Sequence, residues 1–153
     1  MKQAQIDSCI RHAEQTCHNS GGRFTGKRKN VLLTLLYADA RPLSAYEVAE
    51  QYQQHFASSI PVMSVYRMLD FLIEQGLVHR LESSNKYLAC EHMACDHRHE
   101  FPQFLICDNC QHVDEVGIKK ETMQSLDSSV QQSGFKLKSP QLELHGLCRD
   151  CSR

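Results

Sequence analysis

The sequence predicts an α+β chain in two parts: a bundle of short helices closed by a β-hairpin, then a small mixed α/β segment. Three observations predict this. Apolar residues recur at helical spacing through the first half and give way after Gly76 to short period-two runs. Cap and turn signals divide the first half into three or four short helices. Two Cys-x-x-Cys pairs, Cys107–Cys110 and Cys148–Cys151, enclose most of the second half.

The elements follow in order. Residues 3–18 carry Ile6, Ile10, Ala13 and Cys17 on one helical face, and Asn19-Ser20-Gly21-Gly22 ends the helix. A second helix starts near Thr25, with Lys27, Arg28 and Lys29 in its first turn and Val31, Leu32, Leu35 and Leu36 inward. After a break at Asp39–Pro42, Ser44-Ala45-Tyr46-Glu47 matches a capping box, so a third helix runs to about Phe56. Ser58-Ser59-Ile60-Pro61 starts the fourth, with Val65, Leu69, Leu72 and Ile73 inward and Ser64, Tyr66 and Arg67 off that stripe; Gly76 is its left-handed stop. Such a set, with polar and basic residues at the start of the last helix, describes a helix-turn-helix.

Leu77–Leu81 and Lys86–Cys90 flank Ser83-Ser84-Asn85 and read as a hairpin, which beside a helix-turn-helix is a wing. A two-residue turn at Ser84-Asn85 sets His79 opposite Cys90, with Cβ atoms about 4.5–5.5 Å apart, close enough for one metal ion to bridge both. Residues 91–102 read as a polar linker. Phe104-Leu105-Ile106 forms a buried strand, His112–Gly117 a second, and Lys119–Ser133 a helix with Met123, Leu126 and Val130 inward, stopped by Gly134. Phe135–Lys138 and Leu142–His145 alternate as half-buried strands do. The expected divisions are 1–90, 91–102 and 103–153.

Four thiolates in two pairs are what a closed tetrahedral Zn²⁺ site needs. The 37 residues between the pairs mean that the metal ties a mid-chain strand to the last residues. Eight cysteines also fit a disulfide framework, but Met1–Thr16 is polar and no run reaches 18 apolar residues. A cytoplasmic protein with reduced thiols, metal ligation and no membrane span is the expectation. Cys9, Cys17 and Cys95 read as packing or linker thiols, with Cys95 near enough to Cys90 and His97 to compete as a ligand.

Net charge is −1, with nine basic and eight acidic residues through position 82 and eight and ten after it. No global field draws in nucleic acid, so any DNA contact rests on local placement. An enzyme is not expected. Zinc deaminases combine His-x-Glu with Pro-Cys-x-x-Cys, the Pro is missing before Cys107, and four thiolates leave zinc no open position for water. No small organic substrate is implied.

The chain closely resembles the ferric uptake regulator family, in particular its zinc uptake regulator branch. The resemblance rests on Arg23-Phe24-Thr25-Gly26-Lys27-Arg28, Ser44-Ala45-Tyr46, Ser64-Val65-Tyr66-Arg67-Met68-Leu69, Glu74-Gln75-Gly76-Leu77-Val78, Cys107-Asp108-Asn109-Cys110 and His145-Gly146-Leu147-Cys148. It implies a metal-dependent repressor acting as a homodimer on a palindromic double-stranded operator, with a winged-helix DNA-binding domain and a C-terminal α/β dimerisation domain. Three departures are visible. Gly26-Lys27 replaces the family's Pro-Gln before Arg28, Ser64 replaces a Thr, and His97-Arg98-His99-Glu100 runs into Phe101-Pro102-Gln103-Phe104 where the iron branch carries more histidines.

Arg67 suits a bidentate contact to guanine, Tyr66 and Tyr46 suit base-edge or phosphate contacts beside Ser64, and Lys27 and Arg28 suit backbone phosphates. Singly, each reads equally well as a solvated side chain. The resemblance adds Glu115 and a linker histidine, His99 with His97 as alternate, to His79 and Cys90 as a regulatory site. One thiolate, two imidazoles and one carboxylate suit zinc better than a hard-ligand cation. Two zinc ions per subunit are thus implied, and the family leaves room for a third, with His92, His112 and His145 as loose candidates. The competing expectations are a family sensor of iron, manganese, nickel or peroxide, and a structural zinc-ribbon adaptor without metal-dependent DNA binding.

Overall fold

A computed structural model describes residues 3–91, 93, 101–138 and 141–153. The chain divides into two compact units, Met1–Cys95 and Asp96–Arg153.

The first unit contains α1 (Gln3–Asn19), α2 (Gly26–Tyr37), α3 (Ala45–Phe56), α4 (Val62–Glu74), β1 (Val78–Leu81) and β2 (Lys86–Ala89). Helix α1 buries Ile6, Cys9, Ile10, Ala13 and Cys17, one stripe at helical spacing. Helix α2 begins where the Thr25 side chain accepts from the Arg28 amide, and it buries Val31, Leu32, Leu35 and Leu36. Left-handed Asp39 and Ala40 turn the chain out of α2.

The Ser44 hydroxyl accepts from the Glu47 amide at 3.2 Å and the Glu47 carboxylate accepts from the Ser44 amide at 2.7 Å, completing the capping box that opens α3. Helix α4 buries Val65, Leu69 and Leu72 completely, each at 0% exposure, so Leu69→Ala would cost about 2–5 kcal/mol. At its end Gly76 (φ +70) donates to Ile73 and Leu77 donates to Leu72, a cap that only a left-handed residue allows.

The hairpin is anchored by backbone bonds in both directions between Leu43 and Tyr87, at 2.8 and 2.9 Å, so the strand pair belongs to the helical core. Its register differs from the sequence expectation. His79 faces Leu88, Val78 faces Ala89, and the Cys90 amide bonds the Leu77 carbonyl. The turn is Glu82–Asn85, four residues rather than two. A two-residue turn of the favoured type needs positive φ at both centres, and in this turn Asn85 alone has it. Arg80 Nε donates to Asn85 Oδ1 at 3.1 Å and braces the longer loop. His79 and Cys90 are therefore not opposed. They lie diagonally on one face, because Cys90 is two residues beyond Leu88.

The second unit contains β3 (Pro102–Cys107), β4 (Val113–Gly117), α5 (Lys120–Gln132) and β5 (Leu142–Gly146), with strand order β4-β3-β5. β4 runs antiparallel to β3, while β5 is parallel, which requires a crossover that α5 supplies. Phe104 and Ile106 are buried and Leu105 between them is exposed, so this strand alternates rather than being buried throughout. In α5, Met123 is buried while Leu126 and Val130 are half-buried.

Phe135–Lys138 is not a strand. Gly134 (φ +75) donates to Gln131 and Phe135 donates to Val130, so these amides finish α5 instead of joining a ladder. No described strand pairs with this segment, and Phe135 is left exposed.

Candidate metal centre and nucleic-acid face

Cys107 closes β3, Cys110 lies in the turn that follows, and Cys148 and Cys151 lie in the turn after β5. Parallel pairing sets Cys107 beside Gly146, and the Asp108 amide bonds the Gly146 carbonyl at 2.9 Å, so the sheet itself delivers the two turns to one place. The four sulfurs lie within 4.8 Å of one another, and Cys110 Sγ is 3.8 Å from Cys148 Sγ. Zinc–sulfur bonds of about 2.3 Å in a tetrahedron require sulfurs about 3.8 Å apart, so these residues fit a zinc ion.

The described cysteines are all free thiols. Amide donation from Cys110, then from Cys148, pulls the Cys107 thiol down to about 6. At Cys110 the His112 amide acts in the same direction, but the neighbouring Cys107, Cys148 and Cys151 thiols and burial outweigh it and push the group up to about 12. Four adjacent thiols cannot all ionise without a cation among them. The His145 ring Nδ1 lies 2.8 Å from Asp108 Oδ1 and links β5 to the turn after β3, while His112 Nε2 lies 3.1 Å from Asp114. These two histidines, loose candidates for a further metal in the sequence, thus each have a carboxylate partner.

His79 and Cys90 sit half-buried on the hairpin, with a ring nitrogen and Sγ within 4.8 Å. The register correction thus leaves both facing the same way. In the second unit Glu115 lies on β4 opposite Phe104, and it is the one buried charged residue among those described, at 4% exposure. A buried carboxylate is costly unless compensated, which marks the position as special. His97, His99, His92 and Cys95 lie outside the described residues.

Among the residues expected at DNA, Tyr46 is 67% exposed in the first turn of α3, and Arg67 is exposed on α4. Ser64 is half-buried and Tyr66 packs partly on the core. Lys27 is exposed in the first turn of α2. Arg28, the other residue expected at a phosphate, is half-buried. Its guanidinium lies 3.6 Å from the Phe71 ring centroid and donates to the Arg23 carbonyl. Periodicity could not show this, because Phe71 lies on another helix. The same ring also packs close to Gly22, where an added Cβ would meet it at 3.1 Å. No described helix is long and apolar enough to cross a membrane.

The family described as ferric uptake regulator matches residues 19–145. The chain is 33% identical over 153 residues to the zinc uptake regulation protein of Escherichia coli K12, covering 99% of this chain and 85% of that protein. A solved zinc uptake regulator complexed with zinc and DNA is similar at a TM-score of 0.81 and 28% identity, over 99% of this chain and 97% of the other. A crystal structure of holo XcZur is similar at a TM-score of 0.74 and 35% identity, over 94% and 96%.

Proposed function

The chain belongs to the ferric uptake regulator family, and we propose that it is a zinc-responsive transcriptional repressor of zinc-uptake genes, cytoplasmic and not an enzyme, which binds a palindromic operator as a metal-loaded homodimer. One observation carries the choice of zinc: a thiol and an imidazole with ligand atoms within 4.8 Å on the hairpin that directly follows α4. A soft sulfur beside nitrogen favours zinc over manganese or magnesium.

In this reading Cys107, Cys110, Cys148 and Cys151 hold a structural ion. His79 and Cys90, with Glu115 and a linker histidine, His99 or His97, hold a regulatory one. Zinc at the second set would supply coordination that ties the hairpin to the unit carrying Glu115. Tyr46, Ser64, Tyr66 and Arg67 would face the major groove. Lys27 would meet a phosphate, and Arg28 would hold α4 in place for that contact. In a dimer, two recognition helices about 34 Å apart reach successive half-sites together. Because linkage is reciprocal, DNA would raise zinc affinity by the same factor that zinc raises DNA affinity.

The test is a fluorescence-anisotropy titration of the full-length chain on a palindromic duplex selected from a random pool, at buffered free zinc. Affinity should rise with zinc by about 5–150-fold, and Cys90→Ser should shift the response to higher zinc. Equal binding with and without zinc would defeat the proposal.

A further inference from the structure

We propose that Met63 is a specificity-determining residue of the recognition helix, contacting the 5-methyl group of a thymine in the major groove; this rests on the reading that α4 binds duplex DNA. Among the described residues of the first unit, three large apolar side chains are exposed: Tyr37, Tyr46 and Met63. Tyr46 and Met63 occupy equivalent places, the second residue of α3 and of α4. The two helices of the helix-turn-helix therefore each present a large, solvent-facing side chain from the first turn.

Met63 shares a helical face with Tyr66, Arg67 and Asp70, by spacings of three, four and seven, opposite the buried Val65, Leu69 and Leu72. At 67% exposure it gives the core little. Met is a good helix former, so propensity tolerates it there, but capping and the helix dipole do not call for it. The first turn of α4 holds no acidic residue and its cap, Pro61, makes no side-chain bond, where an acidic or hydroxyl residue would be favoured. An anionic side chain in that turn would repel phosphate, whereas a long uncharged one would not.

The chemistry then selects the base. Residues at the N-terminal end of a recognition helix meet base edges. In the major groove the edges of guanine, cytosine and adenine offer polar groups, and thymine alone adds a methyl. A flexible, polarizable thioether chain is a partner for that methyl and has no hydrogen bond to offer the others. Arg67 lies four residues on, about 6 Å along the helix axis, which corresponds to about two base steps. The thymine should fall within about two base pairs of the guanine that Arg67 reads.

The experiment uses the zinc-loaded full-length chain and the duplex it selects from a random pool. Each dT in one half-site is replaced in turn by dU, which deletes only the methyl. One replacement, about two base pairs from a guanine sensitive to Arg67→Ala, should weaken wild-type binding about fourfold. Met63→Ala should show no penalty at that position, and Met63→Leu should keep it. Both variants should melt with the wild type, since the side chain is exposed. If no dU replacement matters, or if the penalty persists in Met63→Ala, the inference is overturned while DNA binding stands. Failure to retain any duplex would overturn the DNA-binding reading beneath it.

Discussion

The Arg28 guanidinium lies 3.6 Å from the centroid of the Phe71 ring, joining the first turn of α2 to the last turn of α4. The same guanidinium donates to the Arg23 carbonyl, and a side chain at Gly22 would crowd the same ring. The link from α1 to α2 is thus clamped onto the recognition helix. Such a cation–π contact contributes about 0.5–2 kcal/mol, more as it is desolvated.

Arg28→Ala should therefore lower the urea midpoint and speed amide exchange in α4. It should leave the salt dependence of DNA binding unchanged. A residue that neutralises a phosphate would instead reduce the salt slope by about one on removal, as expected for Lys27→Ala. A reduced slope for Arg28→Ala would show that it contacts DNA directly.

Loss of one sulfur should disable the structural ion. Cys151→Ser should remove about one zinc per chain and unfold the second unit, because a structural zinc contributes roughly 10–16 kcal/mol, comparable with the whole stability of a small domain. Metal content and circular dichroism would measure this. Full zinc retention with native ellipticity would contradict it.

Zinc entry into the thiol cluster should release protons. In the metal-free chain at neutral pH, Cys107, drawn down to about 6, is already ionised, whereas Cys110, held up at about 12, keeps its proton. Cys151 is also raised; donation from Asn109 opposes this, but the Cys148 and Cys107 thiols and burial prevail. At pH 7 about two or more protons per zinc should appear in calorimetry across buffers of different ionisation enthalpy. Affinity at this centre should fall as pH falls.

The capping box should titrate. Burial raises the Glu47 pKa, but bonds from the Ser44 amide and hydroxyl and the charge of Lys86, 3.4 Å away, outweigh it and leave the carboxyl below its usual range. A depressed folded-state pKa means that the carboxylate stabilises fully above the unfolded value of about 4.3 and progressively less as pH falls through the folded one. Glu47→Gln should therefore show its deficit at pH 7 and converge with the wild type once acidification has passed the lowered folded-state pKa. Ser44→Ala, which removes the cap, should cost about 1 kcal/mol. Urea midpoints from pH 7 to 3 provide the check, and a deficit that grows on acidification would contradict it.

Much of the fold was legible because its signals are local. The α1 stripe, the Ser44–Glu47 box and the Gly76 stop each lie within one or two turns of chain and emerge where expected. The cysteine pairs were legible as a site because each brings its two ligands together by sequence spacing alone. The hairpin register was not, because Ser84-Asn85 resembles a two-residue turn and the choice between two and four residues depends on φ at each centre. Phe135–Lys138 misled because alternation reports a pattern of side chains, while a strand needs a ladder partner, and here the Phe135 amide closes α5.

By itself the sequence determined the helices, their caps, the ligand chemistry and the family. Only the tertiary structure decided that Arg28 folds onto Phe71, that Asp108 meets His145, and that His79 and Cys90 share a face without being opposed. Caps and stripes follow from a few neighbouring residues. Contacts across 37 or 43 positions follow from how whole elements pack, and no local rule of spacing contains them.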